Sequence, residues 1–134
     1  MRHLTLSCLL AACLFTACEQ KVPVTKDTAE IEFETTDHDF GNFKAGSTQE
    51  FDFVFHNVGN TPLYIREANP TCGCIKVKFS EDPVQPGHSG KITASYSKTN
   101  NSPGYFHKAI AVHSSAQTKF VRLHVRGQVT KAKD

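Results

Sequence analysis

The run Glu50-Phe51-Asp52-Phe53-Val54-Phe55-His56 decides how the chain folds, because its aromatic residues recur at every second position. Phe51, Phe53 and Phe55 alternate with Glu50, Asp52 and His56. Successive side chains of an extended strand point to opposite faces, so this period writes one apolar and one wet face. Working outward, Ile92, Ala94 and Tyr96 alternate with Lys91, Thr93 and Ser95, and Val121, Leu123 and Val125 with Arg122, His124 and Arg126. Phe106, Lys108, Ile110 and Val112 share one side opposite His107, Ala109, Ala111 and His113. From residue 30 onward no segment carries a helical stripe.

Short turn signals separate these runs: Gly41-Asn42, Ala45-Gly46, Gly59-Asn60, Pro86-Gly87, Pro103-Gly104 and Ser114-Ser115. Each supplies a residue suited to reversing the chain. About seven strands at this spacing predict an all-β domain over residues 30–134, an antiparallel immunoglobulin-like β-sandwich. There is no Trp, and Cys72 and Cys74 are far too close in sequence to bridge two sheets. Packed Phe, Ile, Leu and Val must therefore make the core.

A chain of 134 residues suits one small globular domain and excludes a multidomain enzyme. Nine Phe beyond residue 18 make it too apolar for a disordered chain. A net charge of +2 offers no basic surplus for gripping phosphate backbones, which argues against nucleic acid as a partner. The charge is unevenly spread: residues 19–58 hold nine acids and three bases, residues 59–134 four acids and eleven bases. Complementarity between neighbouring strands is the simple reading. The alternative is a basic face built from Lys76, Lys78, Lys119, Arg122 and Arg126 that meets anionic envelope polymers or lipid.

Residues 1–17 read as a signal peptide: Arg2, then an uncharged apolar run from Leu4 to Phe15, then Thr16-Ala17. The 14 positions from Leu4 to Ala17 would span roughly 21 Å as a helix, short of the ~30 Å hydrocarbon core of a bilayer. Phe15-Thr16-Ala17-Cys18 resembles a bacterial lipobox, with Phe15 in place of the usual Leu, and makes Cys18 the expected lipidated residue. A rival, Leu10-Ala11-Ala12-Cys13, leaves an apolar region of only about seven residues; an ordinary secreted protein cut near Ala17 is the remaining alternative. The two or three acyl chains of such a modification give stable anchoring to the inner or outer membrane, at about 0.8 kcal/mol per buried methylene. Residues 18–29, polar and carrying Pro23, read as the linker from anchor to domain. Within it, Asp27-Thr28-Ala29 resembles the O-glycosylation acceptor of Bacteroidetes, which marks Thr28.

Further motifs fall in a fixed order: Asp39-Phe40-Gly41-Asn42-Phe43-Lys44-Ala45-Gly46, Phe55-His56-Asn57-Val58-Gly59-Asn60-Thr61-Pro62-Leu63, Cys72-Gly73-Cys74, and Pro86-Gly87 with Gly90. With the closing Gly104 to Val129 strand pair, this series resembles a bacterial family known as domain of unknown function 1573, common among Bacteroidetes lipoproteins. The resemblance covers about residues 33–129. It implies an Ig-like sandwich related to ASH, Hydin and PapD-like modules, and it brings no established activity.

Cys72-Gly73-Cys74 is the constellation with chemistry. On a regular strand the two Cα atoms would lie about 6.6–7 Å apart, the outer limit for a disulfide, and Gly73 is expected to let the chain bend and close the gap. Three readings stand: a structural disulfide or buried pair beside a loop over Glu67 to Thr71, a redox-active disulfide, or two thiolates for a soft metal such as Cu(I). The lack of Met after Met1 argues against a methionine-rich copper carrier. His107 and His113 share one strand face and could add imidazole ligands. Gly87-His88-Ser89-Gly90 lacks the spacing and the following helix of a nucleophile elbow. Paired acids such as Glu32 and Glu34 show no acid/base differentiation, and no phosphate loop occurs. The sequence reads as a lipid-anchored envelope binding module, not an enzyme, that contacts an envelope protein through a long open edge strand or a loop.

Overall fold

The computed structural model describes residues 27–97 and 103–131. The signal peptide expected over 1–17, the lipidation at Cys18 and the linker as far as residue 26 lie outside the described residues. Among the described residues no helix is long and apolar enough to cross a membrane.

Eight strands form the domain: β1 (Ile31–Phe33), β2 (Asp37–Lys44), β3 (Gln49–Asn57), β4 (Ile65–Pro70), β5 (Ile75–Phe79), β6 (Ser89–Tyr96), β7 (Gly104–Ser114) and β8 (Phe120–Thr130). They make two four-stranded sheets, β1-β3-β6-β5 and β2-β8-β7-β4. All neighbours are antiparallel except β2 and β8, which run parallel. The Ig-like sandwich expected from the alternating pattern is the observed fold. The eighth strand arises because the first one breaks: β1 pairs with β3, then Glu34–Thr36 carries the chain across to the other sheet, where β2 joins β8.

The alternating residues take the faces their period assigned. Phe53, Phe55, Ile92, Ala94, Tyr96, Ile110, Val112, Leu123 and Val125 are buried and interdigitate between the sheets. One ring stack spans the layers at one end, with Tyr96 and Phe106 centroids 3.9 Å apart at an interplanar angle of 6°. Burying a Phe or Leu side chain contributes roughly 1.5–3 kcal/mol, so these positions dominate the favourable side of folding. Lys108 is half-buried, and Ser95 is buried with its hydroxyl donating to Glu50 at 2.6 Å.

At the opposite end the motif Asn57-Val58-Gly59-Asn60 clamps the N-terminal segment. Asn57, fully buried, donates from Nδ2 to the carbonyls of Thr61 (2.8 Å) and Val84 (2.9 Å) and accepts from Gly59 N–H (3.0 Å). No buried polar atom of this side chain is left unpaired, which is the condition for keeping it there. A Cβ at Gly59 would stand 2.3 Å from the Thr28 carbonyl oxygen, so only glycine allows this approach. Asn60 then accepts from Thr28 N–H (2.8 Å) and donates to Asp27 (2.9 Å). Ala29, read from sequence as the last linker residue, is consequently buried in the core.

Glu67 to Thr71, expected as a loop, is mostly strand: β4 continues to Pro70, with Ala68 facing inward opposite Val112 and Asn69 outward opposite Ala111. Pro70 fits because β4 is an edge strand and has no neighbour on its outer side.

Candidate functional site

The break in the first strand leaves a half-strand vacancy. β1 covers β3 only over Phe55–Asn57, and the last bond across that seam runs from Glu34 N–H to the Val54 carbonyl at 3.1 Å. Thr35 and Thr36 then turn the chain away through side-chain bonds to Asp37, at 2.9 Å and 3.2 Å. From Gln49 to Phe53, β3 has β6 as its only strand neighbour. In an antiparallel ladder a residue's N–H and C=O point to the same side and alternate along the strand. Asn57 sends both groups toward the β6 side, to His88 and Gly87, while Val58 and Val54 bond toward β1. The backbone groups of Glu50 and Asp52 therefore point into the vacancy.

A shallow depression of about 290 Å³ lined by Glu50, Phe51 and Asp52 marks this place. Behind Phe51 stands the edge of the other sheet. His38, Phe40 and Phe43 of β2 face inward yet stay half-buried, because the first sheet has no strand to cover them. The His38 ring stacks on Phe51 at 3.6 Å and 11°, and meets the Phe40 ring edge-on at 4.7 Å. Partial burial pushes the His38 pKa below its ordinary value, with Asp39 opposing. The rim is acidic. Asp52 accepts from Lys91 (2.7 Å) and Thr93 (2.5 Å), and these bonds, that from Lys91 foremost, hold its carboxyl below the usual range.

The regular edges are guarded. β1 is three residues long, β2 is bulged between Asp39 and Asn42 with Gly41 at a φ of 66°, and β4 is bulged between Ile65 and Glu67 and ends in Pro70. β5 is short and carries Lys76 and Lys78. Such devices keep an edge from recruiting foreign strands. The open stretch Gln49–Phe53 of β3 has neither bulge nor Pro, though Glu50 and Asp52 give it charge, and instead of a long open edge the domain offers this short one.

Cys72 and Cys74 sit where the chain returns from β4 to β5, and they are joined in a disulfide with Cα atoms 5.3 Å apart. Both are half-buried and pack against the core. Thr71 N–H donates to the Ala109 carbonyl (2.9 Å), and Ser97 N–H donates to the Cys74 carbonyl (3.0 Å), so the corner is tied to both sheets. Gly73 is not what closes the gap: it lies outside the positive-φ glycines, and a Cβ there would meet nothing within 4 Å. An ordinary turn over Thr71–Cys74 suffices.

The remaining sites read from sequence are scattered. His107 and His113 do share a face of β7, but six residues of strand put them about 20 Å apart, too far to share an ion. His107 lies beside His124, with centroids at 5.2 Å, and His113 stacks on Phe120 at 4.5 Å. No group of three or more His, Cys, Asp or Glu that could hold a metal ion occurs among the described residues. Thr28 is half-buried, its backbone bonded to Asn60 on both sides. The basic face does not assemble: Lys76 and Lys78 belong to β5 of one sheet, and Arg122 and Arg126 to β8 of the other, with Lys119 just before it. Complementarity does occur, through Asp52 with Lys91 and Asp39 with Arg126. Ser89 begins β6 and lies 2.7 Å from His56 Nδ1, whose Nε2 lies 3.1 Å from Glu34. These exposed groups form a polar ladder across β1, β3 and β6 on a regular strand, without the strained turn of a nucleophile elbow.

The vacancy was invisible in sequence because Glu34-Thr35-Thr36 carries neither Gly nor Pro. The alternation Asp37-His38-Asp39-Phe40, which puts two rings on one face, was the available signal.

Two packed sheets with a first strand shared between them define an Ig-like β-sandwich, and solved structures share this fold. An ASH/PapD-like domain of human CEP192 superposes with a TM-score of 0.62 at 15% identity, covering 98% of this chain and 100% of that one. A protein of unknown function from Porphyromonas gingivalis W83 gives 0.67 at 17% identity over 81% of this chain, which spans about half (51%) of its length. The CupB2 chaperone of Pseudomonas aeruginosa gives 0.52 at 12% identity, over 76% of this chain and 56% of that one. Residues 31–129 match the family described as protein of unknown function DUF1573, and the chain belongs to that family. No curated protein matches the sequence.

Proposed function

We propose that this protein is a lipid-anchored binding module of the cell envelope, moored through Cys18, which takes an extended segment of an envelope protein as an added strand along Gln49–Phe53. The observation that carries this reading is the vacancy itself. The outward backbone groups of Glu50 and Asp52 lie above half-covered rings of His38, Phe40 and Phe43. Main-chain bonds to such an edge supply affinity, and alternate side chains of the guest supply specificity. Inward-pointing guest residues would be apolar to cover the rings; outward ones would meet the acidic row of Glu50 and Asp52. Catalysis is not part of the proposal. The similarity to an ASH/PapD-like domain and to a chaperone supports a binding role at the level of fold.

The test places a photo-crosslinking residue at position 50 in living cells, with position 107 as control. A discrete adduct at 50, absent at 107 and lost in an Asp52→Pro chain that still folds, is the expected result. Equal adducts at both positions, or none at 50, would overturn the assignment.

A second reading follows from the half-buried disulfide. An external dithiol could reduce Cys72–Cys74 to two thiols while becoming a disulfide itself, and the pair of thiolates would then suit Cu(I). Thiol titration followed by Cu(I) competition on the reduced protein decides it: binding requires both cysteines if the reading holds, and no affinity above that of a Cys72→Ser/Cys74→Ser chain removes it.

A further inference from the structure

Exposed apolar side chains are unevenly placed along the sandwich. Among the described residues the large ones are Val58 (54% exposed), Tyr64 (46%), Phe120 (70%) and Tyr105 (65%). The first three lie at the end where the N-terminal segment enters. Val58 N–H bonds to Glu30, Tyr64 exchanges bonds with Ser115, Gln117 N–H bonds to Ala29, and Phe120 opposes His113 near the start of β8. Only Tyr105 sits at the other end, beside the vacancy's end of the domain.

The same end carries cations. Arg66, Lys119 and Arg122 are all exposed and take part in none of the ion pairs formed among the described residues, with Glu67 next to Arg66 on β4 and the acids Asp27 and Glu30 at the same end beside Asn60 and Val58. Rings half in water beside unpaired cations are the composition of a surface that meets lipid headgroups. From Cys18 to Asp27 the chain has nine residues, an extended reach of about 30–32 Å. An acyl-anchored Cys18 would hold this end, rather than the other, against the bilayer.

We propose that the end formed by Val58, Tyr64 and Phe120, with Arg66, Lys119 and Arg122, docks on an anionic bilayer surface. The domain then stands on the membrane with the Gln49–Phe53 vacancy directed away from it. The proposal rests on the lipid-anchor reading and not on the strand-addition reading. It gives the tether a second contact, and two weak contacts linked in one chain reinforce each other.

The test uses the full chain with vesicles of phosphatidylethanolamine and phosphatidylglycerol, compared with pure phosphatidylcholine, and reads amide hydrogen exchange. Exchange over residues 58–66 and 113–122 should slow at least threefold on the anionic vesicles, with residues 49–53 unchanged. The slowing should vanish in Tyr64→Ser/Phe120→Ser and in Lys119→Glu/Arg122→Glu chains. Labelled palmitate at Cys18 is scored separately, so a chain that is acylated yet shows no protection sinks the docking face alone, and an unacylated chain sinks the anchor. Should acylation fail, the same chain is added to preformed vesicles, and protection confined to 58–66 and 113–122 still supports the face. Protection that appears without lipid and grows with protein concentration would assign the face to a second copy and overturn the proposal.

Discussion

Glu34–Thr36 carries the chain out of the first sheet and leaves Gln49–Phe53 without a neighbour, whereas Thr71–Cys74 carries it back and packs two bonded sulfurs against the core. Both crossings span a few residues, and both interrupt an edge strand. At the second, Thr71 bonds to β7 and Cys74 to the residue after β6, so the chain covers its own gap. At the first, Glu34 N–H bonds to Val54 of β3 and the Thr36 carbonyl accepts from His124 N–H of β8, so this corner too is tied to both sheets, yet no segment returns to cover Gln49–Phe53 of β3. The difference teaches that the opening is not a general weakness of the sandwich. The same chain closes one corner and leaves the other available.

The largest effect should come from the buried residue that packs against the open corner. Phe106 stacks on Tyr96 and meets Phe40 and Phe43, behind the open corner, with centroids at 6.5 Å and 6.0 Å. Phe106→Ala is expected to cost about 3–5 kcal/mol in chemical denaturation, since it leaves a cavity in a buried cluster. Phe40→Ala, on the roofless side, should cost clearly less. Equal losses would mean that the open corner is packed as tightly as the rest.

Next comes the closed corner. A disulfide closing so short a loop removes little freedom from the unfolded chain, about 1.5 kcal/mol on the loop-closure account. Cys72→Ser/Cys74→Ser should therefore destabilise by about that amount and speed exchange at Ser97 and Ala109, while leaving Glu50 and Asp52 as they are. A loss several times larger would show that the corner holds the two sheets together, and not just its own gap.

The smallest effect is one of pH. His38 has its pKa lowered by burial, so the unfolded chain binds its proton first as acid is added. Its contribution to stability is complete above the unfolded value of about 6.5 and declines as pH falls from there through the lower folded value. In His38→Phe, which keeps an aromatic ring against Phe51, this decline should be absent from melting curves taken across that window. A guest strand covering the ring should deepen it in the natural chain.

Strands with a strict period of two were legible in sequence: Phe53 and Phe55, Ile92 and Ala94, Leu123 and Val125 all went inside as their alternation required. What the period could not convey was where a strand leaves its sheet, because that is set by pairing partners distant in sequence. Glu34-Thr35-Thr36 turns with hydroxyl bonds instead of Gly or Pro, and so carried no punctuation. The loop expected over Glu67 to Thr71 erred in the other direction, since β4 runs on to Pro70 as an edge strand. The pairing of Cys72 with Cys74 was readable as one option among three, while its place in covering a corner depended on the fold. Ala29 looked like linker because the clamp that buries it comes from Asn57, Gly59 and Asn60, some thirty residues away in sequence.

The central claim, that β3 keeps an open half-edge, is tested most directly by amide hydrogen exchange of the free domain, resolved residue by residue. The amides of Glu50 and Asp52 should exchange at close to unprotected rates while those of Phe51 and Phe53, bonded to β6, are slowed by orders of magnitude. Uniform protection from residue 49 to 54 in a monomeric sample would contradict the account.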